Sequence, residues 1–449
     1  MSVQSLCRVT SRIRGAGCRG SPRLSCLWVV ALVGVLGCPA DTEEVLAECV
    51  PLDVEDGSAL EGPRDPVEAA TAFVRDPLVR RAALEASVRV ADTEYGRLRL
   101  HHYSLRGACL DAPARDWDSR PVYLPNAVRP LRVGEEATDR PSPAPSGPVG
   151  ELDGLETLSD WIELGRQAFH RYPISVDASF RVLRARERAE AFGVRVDLDG
   201  MAETLVESQV ADGSWAVGIT CATCHARPMN DGSLLNGPAN PGLHYGVITG
   251  DAWPLGTVDV TPDEVDNPVR PSDLRAYALQ ERIHHAGNLA NGRIARMVRI
   301  ETLIASQLSY AARPDRRIVA ALTLYLESLA SELPEPDSSS AGAALFAAEC
   351  GSCHQGVGMA GPPVAAEQVG TNPDATVGST RATGGYRSPS LRGVAQRALV
   401  MHDASANGLL GVLQLQESPH TGHRYGLDLT IDERWDLAVY LGVERERSD

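Results

Sequence analysis

The sequence predicts a mainly α protein, two tandem helical repeats preceded by a small β-containing segment, and three observations carry that expectation. Thr220-Cys-Ala-Thr-Cys-His225 returns 129 residues later as Glu349-Cys-Gly-Ser-Cys-His354. Each copy follows a helical Gly-x-x-x-Phe, Gly165–Phe169 and Gly342–Phe346, and precedes an amphipathic stretch with a Tyr-Leu pair, Tyr325-Leu326 and Tyr440-Leu441. Between motif and closing helix lies a third match: registering Leu274 on Leu391 puts His284 on Met401 and His285 on His402.

The elements follow in order. Residues 1–38 have the pattern of an export signal: five arginines, no acid before Asp41, and the apolar run Leu27–Leu36, which is too short to span a bilayer. The run ends Val35-Leu-Gly-Cys38, similar to the lipobox of bacterial lipoproteins, although Leu36 is bulky for its place; an unlipidated signal peptide is the alternative. Residues 39–136 carry a hairpin-like alternation, 86–90 and 97–103, with His101 and His102 expected as ordinary strand residues. The Pro-rich residues 137–150 form a linker, and 333–341 a second. They bound a first domain at 151–332 and a second at 342–449. Residues 171–215, extra in the first copy, are expected to form an inserted helical pair.

Ten cysteines sort cleanly by place. Cys7, Cys18 and Cys26 belong to the signal, Cys38 to the lipobox and four to the repeated motif. Cys49 and Cys109 remain as an even pair suited to a disulfide in an oxidising compartment. The formal charge of −16 argues against a nucleic-acid partner. All 43 basic residues are arginine.

Cys-x-x-Cys-His has a specific chemistry. Two thiols on one turn reach the two vinyl groups of a haem, and the next residue places its imidazole on the iron. A redox dithiol needs no histidine there and prefers a βαβ setting. A zinc site does not use two such distant pairs, each with its own histidine. The cofactors expected are therefore two covalently bound c-type haems, attached at Cys221 and Cys224 and at Cys350 and Cys353, with His225 and His354 as proximal iron ligands.

The second repeat is similar to the C-terminal domain of the bacterial di-haem cytochrome c peroxidase and MauG family, through 342–354, Tyr386-Arg-Ser-Pro-Ser-Leu-Arg-Gly-Val394, Met401-His-Asp403 and Tyr425-Gly-Leu-Asp-Leu-Thr430. The first matches more loosely, through 164–169 and 219–225, so the resemblance spans about 155 to 445. It implies two tandem class I-like cytochrome c domains. Gln416 falls where that family often has a methionine or tyrosine facing the second iron, and glutamine is a poor iron ligand. The peroxidase and tryptophan-oxidising activities of the family are thereby weakened.

The far side of each iron decides the function. For the first, the candidates are His244, His284, His285 and Met297; for the second, Met359, Met401, His402, His420 and His423. His244 and His423 are preferred. His285 and His402 are either ligands or groups that bond a haem carboxylate. Two strong ligands per iron make an electron carrier, whereas an open position allows peroxide chemistry. The expected function is electron transfer by an exported di-haem cytochrome with protein or small-molecule redox partners, held by a lipid anchor at Cys38 on the periplasmic side of a bacterial membrane. The alternative is a di-haem peroxidase or MauG-like oxidase.

Overall fold

Pro66 and Pro77 each stand where a helix can begin, because the first turn has no use for their missing N–H. The computed structural model describes residues 58–89, 118, 120–134, 149–210, 212–259, 267–308, 311–377, 383–416 and 422–444. All of them lie in the unit Cys49–Asp449. The two prolines open α1 (Pro66–Arg75) and α2 (Pro77–Arg89). Asp65 caps α1, accepting from the amides of Val67 and Glu68 at 2.9 Å.

α2 corrects an expectation. Residues 86–89, read as the first strand of a hairpin, are helical. Leu84 and Val88, four apart, share one helix face and one apolar core with Ile294, Met297 and Val298. Helical packing thus outweighed the local alternation. The rest of that hairpin, His101 and His102, lies outside the described residues, as do the signal segment, Cys38, Cys49 and Cys109.

Among the described residues of this segment, the β content is Val122–Tyr123 and β1 (Val128–Arg132). Helix α3 (Leu158–Arg171) opens the first repeat with a capping box in which Thr157 and Asp160 bond each other's backbone amides. After it come β2 (Ser175–Val176), a 3₁₀ turn at Ala178–Arg184 and a short helix at Arg186–Ala191. The second half of the expected helical pair is instead a strand, β3 (Met201–Gln209), followed by β4 (Trp215–Ile219). The four strands form an antiparallel sheet in the order β1-β3-β4-β2. Two local devices select strand over helix here. Gly200 takes a φ of 78°, and Asp197 accepts from the Met201 amide at 2.8 Å, turning the chain into β3. Buried Glu207 then meets Arg129 of β1 at 2.6 Å, a cross-strand pair no helix could make.

The two repeats share their helix crossings. α3 meets α5 (Arg316–Ser328) at Gly165, where a Cβ would overlap the Ala321 carbonyl and the Tyr325 Cβ; α4 (Arg293–Gln307) packs beside them. α6 (Ala341–Glu349) meets α8 (Ile431–Tyr440) at Gly342, where a Cβ would overlap the Asp436 carbonyl and the Tyr440 Cβ. The aromatic contacts repeat too: Phe169 lies 5.5 Å from Tyr325 and Phe346 lies 5.2 Å from Tyr440.

The middle segments correspond at the 117-residue offset that sets Leu274 on Leu391. Ile283 pairs with Leu289, and Val400 with Ala406. Both turns carry the same pair of positive φ values, His284 at 65° with Gly287 at 62°, and Met401 at 67° with Ala404 at 59°. Three of those four residues bear a Cβ, so neither turn is held by glycine alone. The described residues are mainly helical with a lesser β content. Among them no helix is long and apolar enough to cross a membrane.

Candidate functional site

The first Cys-x-x-Cys-His forms a short helix, Cys221–His225, anchored on the sheet. The Thr220 and Thr223 hydroxyls both donate to the Thr204 carbonyl of β3, at 3.1 and 2.7 Å. His225 Nδ1 lies 3.0 Å from the Ser272 carbonyl. A carbonyl only accepts, so Nδ1 carries the proton and Nε2 keeps its lone pair. Burial of the ring pushes its pKa down to about 4, which keeps the imidazole neutral at pH 7.

His354 repeats this arrangement. Its Nδ1 lies 3.0 Å from the Pro389 carbonyl and 3.3 Å from that of Met359. Burial, reinforced by the charge of His423, brings its pKa to about 4. Ser272 and Pro389 hold equivalent places at the 117-residue offset. Each repeat therefore has an equivalently placed backbone carbonyl that fixes the tautomer and direction of its histidine, the orientation that metal-bound histidines use.

The four thiols are unpaired. Burial pushes Cys221 and Cys224 up to about 12 and Cys350 up to about 11. A redox dithiol needs the opposite, a thiol pKa drawn below its ordinary value. Among the described residues no three His, Cys, Asp or Glu side chains converge as a metal cage. A haem iron needs none, because the macrocycle supplies four of its ligands and the protein at most two.

Beside the second motif lies a cavity with about 1290 Å³ of atom-free space, part of it open to solvent. Cys350, Cys353 and His354 line it, with Leu409, Val412 and Leu413 from the α7 segment (Gly408–Val412) and beyond. Two thiols and a neutral imidazole with a free lone pair, set on a cavity with apolar walls, fit a covalently attached haem.

Of the candidates for the far side of the second iron, Met401, His402 and His423 line this cavity. His423 is close enough for its charge to weigh on His354. His420 lies outside the described residues. Met359 is packed in the core with Phe346 and Val394. Gln416 donates to the Asn407 carbonyl at 3.0 Å and does not line the cavity.

Around the first motif, His244 adjoins Tyr245, which packs with Cys224 and Trp253. His284 is committed at both nitrogens, to Asn288 at 2.9 Å and to Arg299 at 2.5 Å. Met297 is a fully buried core residue.

His285 and His402 sit where the repeats meet, their ring centroids 6.4 Å apart. His285 Nε2 donates to the Arg270 carbonyl at 2.6 Å. His402 Nε2 lies 3.0 Å from the Tyr386 hydroxyl, and its ring stacks on the Tyr386 ring with centroids 4.2 Å apart. Both rings thus have a protein partner at Nε2, and both also line the cavity at the second motif. Sequence reasoning gave no role to Tyr386, Asp273 or the arginines Arg270, Arg387 and Arg397. One signal was available: Arg270 and Arg387 are identical residues at the repeat offset, just before the segments that hold the proximal histidines.

Residues 337–396 match a family model described as cytochrome c oxidase, cbb3-type, subunit III. No curated protein and no solved structure matches the chain. The matched stretch contains Cys350, Cys353, His354 and the Pro389 carbonyl, which puts the second motif in a general cytochrome c-like, haem-protein context.

Proposed function

We propose that this chain is an exported di-haem c-type cytochrome whose two repeats are tandem class I-like cytochrome c domains and which transfers electrons. The observation that carries the reading is the matched pair of proximal arrangements: each Cys-x-x-Cys-His places its histidine, Nδ1 down on a backbone carbonyl, in the same relation to its own repeat. In this reading Cys221, Cys224, Cys350 and Cys353 form thioethers, and Nε2 of His225 and His354 takes the iron. A haem so bound supplies a one-electron couple. The chain's own residues hold it, exclude water with the apolar walls of α7 and α8, and offer His423 at the second site. Partners are redox proteins or small donors and acceptors, and Cys38 carries a lipid anchor on the periplasmic side of the membrane.

A second reading, a di-haem peroxidase or MauG-like oxidase, draws on one feature. Tyr386 faces the cavity and meets His402 by a hydrogen bond at 3.0 Å, a hydroxyl–imidazole pair suited to moving a proton.

Pyridine haemochrome analysis of the mature protein is expected to give two covalent haems per chain, with one lost in each of Cys221→Ala and Cys350→Ala. A wild-type value of one or none overturns the proposal. EPR of oxidised and half-reduced protein separates the two readings. Low-spin ferric signals from both irons in the oxidised protein, and from the iron that stays ferric in the half-reduced protein, support the carrier, and a high-spin signal with rapid peroxide turnover supports the enzyme.

A further inference from the structure

Arg270 and Arg387 occupy equivalent places in the two repeats, and their backbones cross between them. The Arg270 amide donates to the His402 carbonyl at 2.7 Å, and the Arg387 amide donates to the His285 carbonyl at 2.9 Å. Because His285 and His402 are themselves equivalent, this is an exchange of like bonds, the mark of a local two-fold.

The side chains at this two-fold leave positive charge in excess. Arg270 is 6% exposed and Arg387 8%. Arg270 donates to the carbonyls of Met401 at 2.9 Å and Pro271 at 3.0 Å. Arg387 donates through Nη2 to the Ser272 hydroxyl at 3.0 Å, and its buried Nε has no partner among the described residues. Asp403 acts on Arg270 only at longer range. The nearby buried carboxylate, Asp273, is held by Arg275 at 2.8 Å and Arg397 at 2.9 Å. Glu349, which also lines the cavity, adjoins Cys350. Four buried guanidiniums thus face one buried carboxylate.

That imbalance carries a cost. An unpaired buried charge is destabilising by several kcal/mol. Burial, with the charge of Arg397, lowers the Arg270 pKa to about 10; burial, with the charges of Arg270 and Arg397, lowers that of Arg387 to about 9. Both remain cations at neutral pH. Both also line the cavity that begins at Cys350, Cys353 and His354. A guanidinium presents two parallel donors that match a carboxylate. A group this enclosed meets its anion most readily if the anion arrives as part of what fills the cavity.

We propose that Arg270 and Arg387 form a carboxylate site on the local two-fold, shared by both repeats, that takes haem carboxylates and raises the reduction potential of the haem held at His354. The inference rests on the haem reading above. Removing a cation from beside those carboxylates favours the more positive, oxidised iron, so the potential falls. Both arginines would act as positioning residues, holding the carboxylates of a bound haem and not its iron.

The test is a spectroelectrochemical titration of the full-length holoprotein beside Arg270→Met, Arg387→Met and Arg387→Lys, with haem counted in each. Two haems are expected throughout. In the methionine variants the reduced-to-oxidised ratio of the His354 haem at a fixed potential should fall about tenfold, ~59 mV for one electron. Arg387→Lys keeps the charge without the fork and should shift it less. Unchanged potentials with two haems bound overturn the site and leave the haem reading intact, whereas a wild type without two haems overturns the reading itself. Should a methionine variant fail to fold, the lysine variant decides: a smaller fall supports the site, and no shift overturns it.

Discussion

At the scale of single residues, the site is governed by which nitrogen of each histidine is free. The Ser272 and Pro389 carbonyls take Nδ1 of His225 and His354, and a carbonyl belongs to the backbone, so no side-chain substitution at Ser272 or Pro389 removes it. Across the second site the informative residue is His423. It lines the same cavity, and its charge is felt at His354. His423→Ala is expected to leave two haems per chain and turn the second from low-spin to high-spin in EPR. If the signal stays low-spin, the ligand is another cavity residue, Met401 first. In that case, because a thioether ligand raises the potential where imidazole lowers it, the second haem should titrate high.

At the scale of elements, each repeat is closed by one glycine. Gly165 and Gly342 let two helices approach until a single added methyl would meet a backbone carbonyl, which cannot rotate aside. Gly165→Ala and Gly342→Ala are each expected to cost about 1–3 kcal/mol by overpacking. Chemical denaturation of the two variants measures it, and a loss below about 0.5 kcal/mol would show that the helices separate freely. These crossings were legible in the sequence, because Gly-x-x-x-Phe and Tyr-Leu recur in the same order in both repeats despite the insertion between them in the first. The middle segment was legible for the same reason, down to the shared turn at His284 and Met401. Strand β3 was not, since Met201–Gln209 has good helix formers and becomes a strand through its neighbours, chiefly Arg129 across from Glu207. The hairpin expected at 86–103 failed conversely at its start, where a local alternation lost to the helix face carrying Leu84 and Val88. The arginines at the two-fold stayed hidden because a single residue before each Pro-Ser segment looks like surface charge until the repeats are docked.

At the scale of the molecule, the two repeats are fastened by polar groups that each contributes to the other. Asp273 of the first is the clearest, since it is 5% exposed and bonds both Arg275 of its own repeat and Arg397 of the second. Burial alone would push its carboxyl up, but the charges and hydrogen bonds of Arg397 and Arg275 outweigh that and hold its pKa well below the ordinary carboxylate range. In the unfolded chain the same group returns to ~3.9. With the folded value depressed, the unfolded state binds the extra proton, so the stabilisation from Asp273 is complete above about pH 4 and is lost as pH falls toward the folded value. Asp273→Asn keeps the shape but removes the charge from between two buried guanidiniums, and breaking a buried pair in this way costs about 3–5 kcal/mol. Denaturation followed from pH 7 to pH 2 should therefore show two things: a less stable variant at neutral pH, and a gap from wild type that narrows as the medium becomes acid. A gap that stays constant down to pH 2 would mean that Asp273 does not hold the repeats through its charge, and that the fastening is carried by the crossed backbone bonds of Arg270 and Arg387 instead.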